Sequence, residues 1–291
     1  MKKMISVLAT VGLFATAVPA MALTVTTSND GTALANALLG GGISISGVSF
    51  TGGTSPSSAG FFTGGTASGI TIDSGILLTS GSAAGAAGPN NSSGYGASTG
   101  TGSDANLASL IPGYSIYDKT LLEFDFTSNG GNLFFNYVFA SEEYNEYANT
   151  AYNDVFGFFL DGVNLALLPG TTTPVSINNV NGGNPFGTNP QNSQYYINNA
   201  GGIYNNGIQY DGFTTVLQAQ ALNLGAGSHH IKLAIADAGD SVLDSGVFIQ
   251  GGSFSDTPVD PNNPVPEPST IILLGAGLAG LGFARKRLAK K

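Results

Sequence analysis

Two apolar runs constrain this chain most: Leu133–Ala140 (LFFNYVFA) and Val155–Leu160 (VFGFFL). Their length and their aromatic and β-branched content read as buried strands. Between them lies an acidic, tyrosine-rich loop carrying Glu142, Glu143, Glu146 and Asp154, and Asp161 follows the second run. The expectation is a pair of strands with carboxylates crowded at one end.

Little positive charge is available to neutralise them. Seven of the nine basic residues lie near the termini. Between Thr24 and Val265 only Lys119 and Lys232 stand against 17 Asp and Glu, a formal charge of −15. Phosphate recognition needs a basic face, so nucleic acid is excluded as a partner. A hard cation taking carboxylate and carbonyl oxygens fits, and calcium is the expected ion. The alternative is acidity spread over exposed loops, where it serves solubility. The absence of Cys rules out disulfides and a thiol nucleophile. Abundant Gly, Ser, Thr and Asn between short apolar runs indicates an all-β fold with many turns.

In chain order, Met1–Ala22 has a basic start (Lys2, Lys3), an apolar stretch (Ile5–Val18) and an A-x-A site (Ala20, Ala22). It reads as a secretory signal, handled by the Sec machinery and a signal peptidase that cuts before Leu23. Strands are expected at Val48–Thr51, Ile70–Ile72 and Ile76–Thr79. A short helix is expected over Asp30–Leu39, capped by Asp30, with Ala33, Leu34, Ala37 and Leu38 on its apolar stripe. Ser82–Ser109, low in complexity, reads as a long surface loop. Asp118–Thr127 alternates, with Leu122, Phe124 and Phe126 on one face. The turn signal Asn129–Asn132 predicts a hairpin joining Leu121–Thr127 to Leu133–Ala140.

Ile177–Asn206 contains ten Asn and reads as a long loop or flap. Strands are expected at Thr214–Leu224, with Val216, Ala219 or Leu222 inward, at His230–Ala236, and at Gly246–Phe254. Between the last two, Asp237, Asp240 and Asp244 form a second acidic cluster. It lacks the twelve-residue loop and terminal Glu of an EF-hand. Residues 256–268 read as a Pro-rich linker. Ser269–Ala284 is a charge-free apolar segment of 16 residues. As a helix it spans about 24 Å, and the flanking Arg285, Lys286 and Arg287 would complete a single membrane span with the basic cluster in the cytoplasm.

Pro266-Glu267-Pro268, the apolar segment and Arg285-Lys286-Arg287 together resemble a PEP-CTERM sorting signal, covering residues 265–291. The resemblance implies recognition by an exosortase in the inner membrane of a Gram-negative bacterium. Cleavage near the motif and release or attachment at the outer surface would follow, often alongside exopolysaccharide. The body resembles the choice-of-anchor L domain. The residues that carry this likeness are Phe139–Tyr147 (FASEEYNEY), Asn153–Gly162 (NDVFGFFLDG) and His230–Ser241 (HIKLAIADAGDS). The resemblance implies a bacterial surface domain and supplies no chemistry.

The expected architecture is therefore a signal peptide (1–22), a single jelly-roll-like β-sandwich (23–255), the linker (256–268) and a transmembrane sorting helix with basic tail (269–291). Glu142, Glu143, Asp154, Asp237 and Asp240 are the expected calcium ligands, on the condition that the strands ending at Ala140 and Ala236 are neighbours. The expected function is non-enzymatic: an exported envelope or matrix protein that binds a surface ligand, with an exopolysaccharide or surface glycan the candidate. The alternative is a glycan-processing enzyme using Glu142 with Asp154, or Glu143 with Asp240, as acid and base. Tyr144, Tyr147, Tyr152, Tyr195, Tyr196, Tyr204 and Tyr210 either offer rings to a glycan or pack beneath the Gly-rich loops.

Overall fold

The structure is a computed structural model that describes residues 23–201 and 207–261. The signal peptide with Ala20 and Ala22, the motif Pro266-Glu267-Pro268, the sorting helix and Arg285-Lys286-Arg287 lie outside the described residues. Among the described residues no helix is long and apolar enough to cross a membrane.

The strands, in chain order, are β1 (Thr24–Thr27), β2 (Ile43–Thr51), β3 (Ala59–Thr63), β4 (Ser74–Thr79), β5 (Ile116–Ser128), β6 (Leu133–Ser141), β7 (Val155–Leu160), β8 (Val163–Asn164), β9 (Tyr196–Asn198), β10 (Gly212–Thr214), β11 (Leu217–Ala221), β12 (His229–Ala238) and β13 (Ser245–Gln250). They form two antiparallel sheets, a β-sandwich as the composition predicts. One sheet runs β1-β3-β4-β13-β6-β10-β9, with β11 also on β6; the other runs β2-β5-β12-β7-β8. The inner order β4-β13-β6-β11 facing β5-β12-β7-β8 is a jelly-roll wrapping, in which the chain repeatedly changes sheets.

That wrapping corrects two expectations. The chain turns at Ser128–Asn132, where the Ser128 hydroxyl bonds the Asn132 backbone, but β5 and β6 lie in opposite sheets and form no hairpin. Likewise β6 and β7 do not pair. Their aromatic rings meet face to face across the sandwich, with Phe139 stacked on Phe156 at 4.9 Å and Tyr137 edge-on to Phe158 at 4.9 Å. A turn signal is local, while the choice of strand partner depends on which apolar faces must be covered.

All nine residues of β6 are buried. Phe135, Tyr137 and Phe139 fill the inter-sheet core, whereas Val138 and Ala140 join a second cluster on the outer face with Phe62, Ile70, Ile72, Leu77 and Phe248. Ile70 and Ile72 reach that cluster from a bent segment and are not a strand. The outer face of the second sheet is covered by α2 (Ala105–Leu110), whose Leu107 packs on Leu121, Phe159 and Ala234. Helix α1 (Gly31–Leu38) forms as expected: Asp30 caps it by accepting from the Ala33 N–H at 3.0 Å, and Leu34, Ala35 and Leu38 are buried. In β11 the inward residues are Leu217 and Ala219, and Leu222 projects into solvent.

Candidate functional site

Antiparallel order brings one end of many strands together. The ends of β4, β6 and β12 and the starts of β5, β7, β10 and β13 share one pole of the sandwich, as the pairs Ser141–Ser245, Ser141–Gly212, Ala236–Val155 and Ala238–Ile116 show. Each of these strand ends except β4's carries an acid. Seven buried carboxylates result: Asp118, Glu142, Glu143, Asp154, Asp211, Asp237 and Asp244. The other buried carboxylate among the described residues, Asp104, caps the start of α2 and pairs with Lys232.

The expected ligands Glu142, Glu143, Asp154 and Asp237 are thus brought to one place, although β6 and β12 belong to different sheets. Asp240 sits at the rim. It is half-buried, and its Oδ1 accepts from the Val242 N–H two residues on, at 3.1 Å. Asp244 lies in the same acidic stretch and is the more deeply buried of the two. Asp118 and Asp211 stand outside both acidic stretches and carry no local signal; only the strand order delivers them.

Asp154 ties the two sheets together. Its Oδ1 accepts from the Ala238 N–H at 2.9 Å and its Oδ2 from the Ser245 hydroxyl at 2.6 Å. Asp244 accepts from the Ala97 and Ser82 N–H groups, at 2.9 and 3.1 Å. Glu142 Oε1 accepts from the Tyr95 N–H at 3.1 Å and from Gln209 at 3.3 Å, Asp118 Oδ1 from the Gly100 N–H at 2.7 Å, and Asp211 from Asn90 at 2.6 Å. The segment expected to be a surface loop, Ser82–Ser109, is therefore a strap laid over the acidic pole and held by its carboxylates through backbone amides. Its composition allows this close seating: a Cβ on Gly96 would lie 1.3 Å from the Val242 carbonyl oxygen.

Several oxygens gain nothing from this network. Glu142 Oε2, Glu143 Oε2, Asp118 Oδ2 and both oxygens of Asp237 are buried without a hydrogen-bond partner. Among the described residues, no Lys, Arg or His forms an ion pair with any of the seven. Burial pushes Glu142 up to about 8 and Asp244 to about 7, and Asp211 to about 6. Glu143, Asp154 and Asp237 are raised by burial first and then by one another's or neighbouring charge. The Ser80 hydroxyl, the polar group that most relieves Asp237, accepts from the Ser245 N–H at 2.9 Å and turns its own proton to the Ser245 carbonyl at 3.4 Å. Among the described residues no three His, Asp or Glu side chains converge as a ready metal-ligand set.

The two histidines lie at the opposite pole. His229 Nδ1 faces Asp161 at 2.7 Å, and His230 Nδ1 faces Asp125 at 2.9 Å. The tyrosines divide. Tyr144 and Tyr210 are buried, Tyr144 donating to the Val180 carbonyl at 2.6 Å, while Tyr147 is 38% exposed. Tyr204 lies outside the described residues.

A family model for the PEP-CTERM protein-sorting motif matches residues 264–287 and marks the protein for an exosortase, and so for export to the bacterial cell surface or envelope. A search of curated proteins and one of solved structures returned no match. The model of the choice-of-anchor L domain matches residues 24–255, the whole sandwich with its carboxylate pole, and the chain belongs to that family.

Proposed function

We propose that this is a non-catalytic surface or matrix protein whose sandwich is stabilised by calcium at the carboxylate pole. The observation that carries the reading is the set of buried carboxylate oxygens without hydrogen-bond partners, with no ion pair to them among the described residues. An ionised carboxylate so placed costs several kcal/mol unless something neutralises it. A hard cation does so with six to eight oxygens. Among the described residues no three carboxylates converge, so backbone carbonyls, hydroxyls and water would complete the shell. Asp237, with neither oxygen bonded, is the anchoring ligand, and Asp154 is the acid whose charge bears on it most.

Burial also favours binding over catalysis. Glu142, Glu143 and Asp154 are 1–2% exposed, and both oxygens of Asp154 are committed to structural hydrogen bonds. A glycan reaching any of these carboxylates would first have to displace the strap. In this reading the chain passes the inner membrane of a Gram-negative cell, is held there transiently by its sorting helix, and ends at the surface or in the extracellular matrix.

The test is thermal unfolding in EDTA and then with added calcium. At 100 times the dissociation constant, linkage adds about 2.7 kcal/mol to stability. The expected result is a clear rise in the midpoint that Asp237→Asn abolishes. An unchanged midpoint for the unmutated protein refutes the calcium reading.

A further inference from the structure

The last described residues lie beside the beginning of β6. Ser255 pairs with Phe134, and Asn136 Nδ2 donates to the Val259 carbonyl at 2.7 Å. The carboxylate pole begins beyond Ser141, about 23 Å further along the strand at ~3.3 Å per residue. Residues 255–259 therefore lie along the half of β6 away from the carboxylates.

At the carboxylate pole two joined loops expose aromatic rings. Phe186 is 59% exposed and Tyr147 38% exposed. Asn184 Nδ2 donates to the Glu146 carbonyl at 2.6 Å, which joins the two loops. The Phe186 ring lies 6.5 Å from that of Tyr196, and Tyr196 donates to Asn145 at 2.5 Å. Phe186 is not exposed through slackness. Its loop is closed by Gly187 N–H to Gly182 O at 2.7 Å, Thr188 N–H to Pro185 O at 2.8 Å and Asn184 N–H to Thr188 O at 3.1 Å. At Gly183 (φ +91) a Cβ would lie 2.2 Å from the Thr188 carbonyl oxygen. A large ring held rigidly in water, beside an exposed carboxylate (Glu146) and Asn amides, matches a pyranose: its C–H face stacks on the ring and its hydroxyls meet acceptors. Between Thr24 and Val265 only Lys119 and Lys232 are basic, against 17 Asp and Glu, and Lys232 pairs with Asp104, so this body does not complement an anionic polymer.

We propose that the Tyr147–Phe186 face binds a neutral polysaccharide. The binding does not depend on the calcium reading. The test is native affinity electrophoresis of the full chain in detergent, through gels containing a neutral β-glucan, mannan, dextran or anionic alginate, each with and without EDTA. The expected result is retardation by at least one neutral polymer and not by alginate, in EDTA as well. Tyr147→Ala/Phe186→Ala weakens it at least fivefold, while Val163→Ala/Leu222→Ala, at the opposite pole, leaves it unchanged. Retardation by no neutral polymer, retardation by alginate alone, or equal effects of the two double variants overturns the proposal. A calcium effect on melting without retardation separates failure here from failure of the calcium site.

Discussion

Removing the Asp154 carboxylate isolates what the acidic pole contributes to folding. Asp154→Ala leaves two donors, the Ala238 N–H and the Ser245 hydroxyl, buried without acceptors. Each orphaned donor costs about 1–3 kcal/mol, so the loss is about 4 kcal/mol. For a domain of this size each kcal/mol lowers the midpoint by roughly 2–4 °C, which gives a fall of about 8–16 °C. The assay is thermal unfolding followed by near-UV circular dichroism in EDTA, so that no ion contributes. Asp154→Asn separates the two roles of the side chain. The amide keeps an acceptor for Ala238 and can donate to the Ser245 oxygen, and it removes a charge that Asp244 and Asp240 oppose. Its midpoint should stay within about 1 kcal/mol of the parent. A fall below about 2 °C for the alanine variant would refute the claim that this carboxylate joins the sheets.

The strap gives a steric prediction. Gly96→Ala should destabilise by about 1–3 kcal/mol, whereas at Gly94 a Cβ meets only Leu243 at 3.9 Å, and Gly94→Ala should be neutral in the same melt. The Tyr137 hydroxyl is buried without a partner. Tyr137→Phe should therefore leave stability unchanged or raise it by up to about 1 kcal/mol, and a loss beyond that in urea denaturation would mean that the hydroxyl is satisfied. The His229–Asp161 pair sets a pH window. The hydrogen bond with Asp161 raises His229, a contribution complete below the ordinary histidine pKa and lost as pH rises through the raised one. The same bond lowers Asp161, a contribution present above the ordinary Asp pKa and lost as pH falls through the lowered one. His229→Gln should thus cost up to about 1 kcal/mol near pH 5.5, screened because Asp161 is half-exposed, and nothing near pH 9. An equal cost at both values would contradict the ion pair.

Period and composition made most strands legible. Leu122, Phe124 and Phe126 alternate into the core, and Val155–Leu160 is a strand with the expected bounds. Capping chemistry placed α1 through Asp30. Ile70 and Ile72 read as a strand because two isoleucines flanking one residue look alike whether they enter a ladder or merely plug an outer face. The Ser82–Ser109 stretch, poor in apolar side chains, gave no sign of seating, since what seats it is its own backbone N–H groups meeting carboxylates remote in sequence.

The acidic residues, the dearth of cations to match them and the short strands were settled by the sequence alone, because they follow from residue identity and local periodicity. Which acids became neighbours was decided by the tertiary structure. Asp118 and Asp211 stand 93 residues apart in numbering, and Glu142 and Asp237 sit at the ends of strands from different sheets. They share one pole because antiparallel pairing and the sheet-to-sheet crossings fix which strand ends lie together, and those pairings follow from covering apolar faces over the whole domain. Burial then gave the acids their chemistry: a carboxylate that would be an ordinary anion in a surface loop becomes, under the strap, a group that must share a proton or a cation.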